Sequence, residues 1–409
     1  MIIRGNEAMR RDDLLYYFAY AVFLATLFIN QTELRFTMDP TTEMAFRLIR
    51  YASVFLMGVK TIIASSYPRT FLILAAAGTL IAVACALSSG GKIVVYTAIA
   101  VAGAYRIDRE KIFTITAFTF LAGTIITIFL SQTGVFHDYI VSETRRRHSL
   151  GFNWVTLSSI YWMFITICHC NIRKDKITYF EIAAMGLVSI YLYIMTDTKM
   201  ATIINTAFLI GVLVQKCFFH NEWKVIKAFD NKVCILPFVC FAAALIIQLL
   251  YKPGDALWDK LNQLLSNRLS CTAPNMKLPI TLFGQEVKWQ GGVLDQSYLT
   301  EKIGPYNYVD CSYLRIMIDY GVVGIATSLM IYAYGIFKAV REKNGLLIWS
   351  YILVLCFSLT EPWMIEPSFN PFLIIAISTG IGAPEKNREA QRIRFHPARS
   401  GLVPETMKN

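Results

Sequence analysis

Hydrophobic positions along this chain run in long uninterrupted stretches, separated by short clusters of polar and charged residues. Stretches of roughly 17 to 25 apolar residues have the length a helix needs to cross about 30 Å of hydrocarbon. Twelve of them begin near Leu14, Glu43, Thr70, Lys92, Ile112, Asn153, Thr178, Ala201, Val233, Cys311, Leu346 and Ser368. Bare backbone polar groups are costly in lipid, so apolar segments of this length predict helices. The pattern therefore predicts an all-α integral membrane protein with one polytopic domain over residues 1–409. The first span follows Arg10-Arg11-Asp12-Asp13 with no small-residue cleavage site, so no signal peptide is expected.

Composition supports the same class. The 409 residues are 55% hydrophobic and 16% charged with a mean hydropathy of +0.47, too apolar for a soluble protein of this length. Lys and Arg gather in alternate connections: Arg4, Arg10 and Arg11; Lys60 and Arg69; Arg106, Arg109 and Lys111; Arg173, Lys174 and Lys176; Lys216 to Lys232; Lys338, Arg341 and Lys343; and the tail from Lys386 to Lys408. By the positive-inside tendency these connections are cytoplasmic, as are both termini. The net charge of +11 follows mainly from this asymmetry, and no nucleic-acid partner is needed to explain it. The tail over 383–409 is expected to be solvated or to lie on lipid headgroups.

The other short connections carry only Arg35, Lys92, Lys199 and one basic cluster, Arg145-Arg146-Arg147-His148, in the loop over 131–152. Clustered guanidiniums on the side that usually avoids them suit bidentate contact with an anion such as phosphate, although a headgroup anchor at a span's end would use the same residues. The longest polar segment, 251–310, lies on the same side and combines Pro and Gly with aromatics, with a short helix expected near Ala256–Leu265. Connections of this length are uncommon unless functional. Its Trp258, Phe283, Trp289, Tyr298, Tyr306 and Tyr308 offer flat faces for sugar rings, or belong to an interfacial belt. Arg268 supplies a second guanidinium, and Asp295, Gln296 and Tyr298 place a carboxylate, an amide and a phenol together. Arg47 and Arg50, three apart on one helical face, and Lys199 after Thr196-Asp197-Thr198 either serve the same anion or snorkel to the interface.

The nine cysteines form no metal or disulfide framework. Cys168-His169-Cys170 lacks the second pair a zinc site needs, whereas Cys271 and Cys311 are both on the outer side and leave a disulfide open. There is no P-loop, GxGxxG, HExxH or GxSxG motif, nor an Asp-x-Asp pair to carry a metal with a diphosphate. A phosphorylated donor would have to be gripped by Arg and Lys.

Four short motifs occur in order. They are Arg-Arg-His-Ser-Leu-Gly-Phe at 146–152, Thr-Asp-Thr-Lys-Met-Ala at 196–201, Asn-Arg-Leu at 267–269, and Leu-Asp-Gln-Ser-Tyr-Leu at 294–299, followed by Tyr-Gly-Val-Val-Gly at 320–324. In order and sidedness they resemble the bacterial polysaccharide polymerases of the Wzy type, in the superfamily that includes the O-antigen ligases. The resemblance implies a metal-independent glycosyltransferase of the GT-C kind, without cofactor, in the bacterial cytoplasmic membrane. Donor and acceptor would be glycans on undecaprenyl diphosphate, with a flippase and a chain-length regulator as possible partners. Arg147 and Arg268 would hold the leaving diphosphate and Asp295 would serve as base or acceptor grip. Arg145, Arg146, His148, Lys199, Arg47, Arg50, Gln296 and Tyr298 would contact substrate. Lys199 stands where relatives often carry Arg, and Asp295 where the ligase branch carries a His. A ligase with the same donor, a flippase or transporter, and a structural assembly partner are the other classes this sequence admits.

Overall fold

A computed structural model describes residues 11–63, 67–141, 145–219, 231–290 and 307–380. Each expected span contains a helix. In chain order they are α1 (Arg11–Ile29), a short α2 (Leu34–Thr37), α3 (Pro40–Ile63), α4 (Arg69–Ser89), α5 (Ile93–Gly103), α6 (Arg109–Gln132), α7 (Leu157–Arg173), α8 (Tyr179–Thr196), α9 (Lys199–Phe218) and α10 (Leu236–Leu250). The long polar connection contributes α11 (Ala256–Leu264), where the short helix was expected, and α12 (Arg268–Thr272). The chain then continues through α13 (Ser312–Arg341), α14 (Gly345–Phe357) and α15 (Phe372–Ile377). A hairpin of two short strands, β1 (Ile140–Val141) and β2 (Arg147–His148), sits between α6 and α7.

Among the described residues, six helical segments are long and apolar enough to cross a membrane: Arg69–Ser89, Arg109–Gln132, Tyr179–Thr196, Lys199–Phe218, Asn231–Leu250 and Ser312–Arg341. Only 11% of the apolar window in Arg69–Ser89 is buried, and Leu74, Leu87, Phe118, Ile194 and Phe218 all point outward. Soluble monomers do not expose apolar surface on this scale. The mostly helical architecture is thus compatible with an all-α membrane protein.

Three of the expected spans are short. α5 has 11 residues, α14 has 13 and α15 has 6. At 1.5 Å per residue these measure roughly 16, 20 and 9 Å, less than the hydrocarbon thickness. The reason for the last is local. Pro362, Pro367 and Pro371 lack a backbone N–H and push the residues before them away from helical geometry, so the chain over 358–371 stays irregular. Its carbonyls find partners inside the protein. Tyr332 donates to Met364 O (2.8 Å), Thr97 to Ile365 O (3.1 Å) and the Ser312 amide to Ser358 O (2.9 Å). Non-helical backbone is tolerated within a membrane bundle only when it is buried or lines a cavity in this way.

Polar contacts sort the helix ends into two faces. On one, Lys60 donates to Gly103 O and Tyr105 O, Arg109 pairs with Glu342, and Lys174 pairs with Glu110. On the other, the Asn153 amide donates to Gln31 O, and Thr32 bridges Phe152. The second face carries the hairpin, α11 and α12. Between the faces, α1 packs on α3 and α6, α6 on α7, and α13 on α4, α10 and α15. Lipid gives helices no hydrophobic reason to associate, so close packing holds them. Gly123 admits the Phe28 ring, and Gly335 admits Tyr351.

α13 is bent at Gly321, whose φ of 71° and ψ of −173° occupy a region open essentially to glycine alone. Past the bend, the Val322 and Val323 amides donate to Thr281 O and Leu282 O at 3.1 Å each. The bend thus docks the segment after α12 against the first turns of α13. Cys271 and Cys311, the pair left open as a disulfide, are both free thiols.

Candidate functional site

The hairpin is set by its own polar residues. Asp138 accepts from the Leu150 amide (2.8 Å) and pairs with His148 Nδ1 (2.5 Å), while Ile140 stands opposite His148 and Val141 opposite Arg147. Arg147 then reaches the end of α8, where its Nε donates to Thr196 O at 2.9 Å. That carbonyl belongs to the partly negative C-terminus of the helix. Arg145 forms an ion pair with Asp197, the left-handed residue that ends α8. Arg147 is therefore held by the neck of its guanidinium, and among the described residues its two terminal nitrogens take no hydrogen bond. Arg146 is exposed.

Arg268 arrives from the other connection. Ser266 and Asn267 turn the chain at φ 55° and 65°, and Asn262 Oδ1 accepts from the Leu269 and Ser270 amides at 3.1 Å each. This joint fixes α12 on α11 and directs Arg268 inward. Its Nη2 donates to Glu361 Oε1 at 2.6 Å, and its Nε lies 3.4 Å from Asp310 Oδ2. Arg268 binds Glu361, and Arg147 lies within the electrostatic field of both, so the two connections bring their guanidiniums into one charged neighbourhood. Burial, followed by the Arg145 charge, lowers the Arg147 pKa from its ordinary value. Burial raises Glu361 to about 7, against the pull of Arg268 and Arg147 and with the push of Asp310. Asp310 is raised for the same reason, opposed by Arg268 and Arg315.

Arg315 extends the cluster. It pairs with Asp319 one turn on (2.5 Å) and lies over the rings of Trp289 and Tyr308, 4.0 and 4.6 Å from their centroids. Trp289 Nε1 donates to Asp319 at 2.9 Å. Glu366 completes the group, accepting from Ser368 Oγ at 3.2 Å within the field of Arg315 and Asp319. Buried ion pairs lose several kcal/mol per ion in desolvation, and well-packed apolar residues would be at least as stable. A band of this kind adds little as scaffold, which makes this buried charge cluster the candidate site.

The expected site residues divide clearly. Arg145, Arg147 and Arg268 are gathered here, and His148 is engaged by Asp138 as the hairpin clamp. Arg47 pairs with Glu43 (3.7 Å) on an exposed face, Arg50 donates to Thr26 O (3.1 Å), and Lys199 is exposed at the start of α9. Among the described residues, no contact joins those three to the arginine pair. In the 196–201 motif it is Thr196 and Asp197, not Lys199, that meet the basic cluster. Asp295, Gln296 and Tyr298 fall within 291–306, outside the described residues; that segment leaves and re-enters where Gln290 and Asn307 pair through mutual 2.9 Å hydrogen bonds. The Trp289 and Tyr308 faces expected for sugars are occupied by Arg315. His169 bonds Glu181 (3.0 Å) between two buried thiols, Cys168 and Cys170.

Sequence reasoning missed Asp310, Arg315, Asp319, Glu361 and Glu366. The signal was present in Glu361-Pro362-Trp363-Met364-Ile365-Glu366-Pro367, two Glu-Pro steps within an otherwise apolar stretch. No protein-family model, curated protein or solved structure matches this chain.

Proposed function

We propose that this chain is a twelve-span, GT-C-like polysaccharide polymerase of the bacterial cytoplasmic membrane, with the hairpin face outside and both termini in the cytoplasm. It moves a growing glycan from undecaprenyl diphosphate onto a repeat unit carried by the same lipid. The observation that supports this most is that Arg268 binds Glu361 while Arg147, from the other connection, lies within the electrostatic field of both. As the acceptor hydroxyl attacks the anomeric carbon, the bond to the diphosphate breaks and charge develops on its oxygens. Two preorganised guanidiniums facing that position stabilise the charge more than they do the intact donor. Until the donor arrives, Glu361 and Asp310 occupy Arg268. A transporter would instead distribute its charges along a path between the two faces, whereas here the linked group Arg268, Asp310, Arg315, Asp319 and Glu361 lies towards the hairpin face.

A pH dependence follows from this exchange. When a diphosphate takes over the guanidiniums, Glu361 loses its counter-charges, its pKa rises further and the complex takes up a proton. Donor affinity should therefore rise as pH falls towards about 7, where Glu361 of the free protein titrates, and level off below it. Binding of an undecaprenyl-diphosphate glycan to the purified protein, measured from pH 8 to pH 6, should tighten in the wild type and be nearly flat in Glu361→Gln. An equally steep profile in the variant would remove Glu361 from the clamp.

A further inference from the structure

Polymerisation requires a proton to leave the acceptor hydroxyl, and the described carboxylates near the clamp differ in how much of their acceptor capacity is already used. Glu361 is bound to Arg268, Asp310 lies against Arg268, and Asp319 accepts from both Arg315 and Trp289. Glu366 has only the Ser368 hydroxyl, at 3.2 Å. It is half-buried on the irregular segment between α14 and α15, while Tyr161, Phe369 and Asn370 around or beside it are fully enclosed. Two donors near it are also unsatisfied. Tyr161 Oη, 0% exposed and within the field of Glu366, has no hydrogen-bond partner, and neither does buried Arg315 Nη1. Buried donors are rarely left unmade without a missing water or ligand.

Resting on the polymerase proposal above, we infer that Glu366 is the catalytic base that takes the proton from the acceptor sugar hydroxyl, with Tyr161 Oη and Arg315 Nη1 as hydrogen-bond donors to that sugar. The hydroxyl oxygen forms the new bond to the anomeric carbon, its proton passes to the Glu366 carboxylate, and the diphosphate departs with the electrons of the broken C–O bond. Arg315 binds the acceptor in this arrangement, its guanidinium held over Trp289 and Tyr308 by Asp319. The base role thus moves from Asp295, on the long connection, to a residue fixed within the bundle.

The test uses full-length protein in proteoliposomes with lipid-linked repeat units extracted from cells lacking this chain. Glu366→Gln should lower kcat by 100-fold or more with KM changed less than about threefold, the range expected for removing a general base. Glu366→Asp should recover part of kcat, and Tyr161→Phe should raise the acceptor KM. Wild-type turnover with near-normal kcat in Glu366→Gln would overturn the base assignment alone. Absence of glycan transfer by the wild type would overturn both this assignment and the polymerase proposal. A Glu366→Gln protein that fails to extract as a monodisperse species, with Glu366→Asp equally affected, would make Glu366 structural and also overturn the assignment.

Discussion

Arg147→Ala or Arg268→Ala, inserted at wild-type levels, is expected to leave cells with single-repeat glycan in place of long chains. In the proposed reaction each residue contributes one guanidinium to the position where the leaving diphosphate gains charge, and removing one such donor typically lowers turnover by about 10² to 10³, or roughly 2.7–4 kcal/mol of transition-state stabilisation. A second effect adds to this in Arg268→Ala. Glu361 and Asp310 would both lose their ion-pair partner, and an uncompensated buried carboxylate is itself costly. Arg268→Ala should therefore be less stable than Arg147→Ala, which among the described residues gives up just the Nε bond to Thr196 O. Lysine at 147 should restore little, because a point charge cannot reproduce the planar fork. Glycan length resolved on a gel from cells carrying each variant checks this, and long chains in both alanine variants would remove the clamp.

The second large effect concerns stability. Gly321→Ala is expected to unfold or misassemble the protein, because a Cβ at that position would lie 2.4 Å from Leu282 O and 2.5 Å from the Gly284 amide. The backbone conformation alone, at φ 71° and ψ −173°, costs a non-glycine residue about 1–3 kcal/mol, and relieving the overlap costs about as much again. Movement there would also separate the Thr281–Gly284 segment from α13, and with it Trp289 from Arg315 and Asp319. Thermal unfolding in detergent should show a Tm well below wild type, with Gly78→Ala, where nothing lies within 4 Å, as the neutral comparison. An unchanged Tm in Gly321→Ala would show that the bend is not required.

Much of this architecture could be read from periodicity and charge. Apolar runs fixed where helices form because lipid and protein interior alike demand an internally bonded backbone, and the Lys and Arg distribution anticipated two alternating sets of helix ends. The interior chemistry was harder to see. Arg147 and Arg268 stood out because they occupy polar connections, whereas Arg315 and Asp319 are at the start of a helix that reads as one apolar span. Glu361 and Glu366 lie in a stretch dominated by Trp, Met, Ile and Phe, where hydropathy averages them away. Three prolines there were the readable cue that helix gives way to irregular chain. What no linear pattern could supply was the partner of each charge. That Arg147 is gripped by a helix C-terminus, and that Lys199 stays outside the cluster, depends on how the hairpin leans across the end of α8.

The most direct measurement of the central claim is polymerisation by the purified protein in liposomes supplied only with undecaprenyl-diphosphate-linked repeat units. Chains longer than one repeat should form with stoichiometric release of undecaprenyl diphosphate, and the Arg147→Ala, Arg268→Ala double variant should form none. Failure of the wild-type protein to extend the glycan, or extension by the double variant at the wild-type rate, would contradict it.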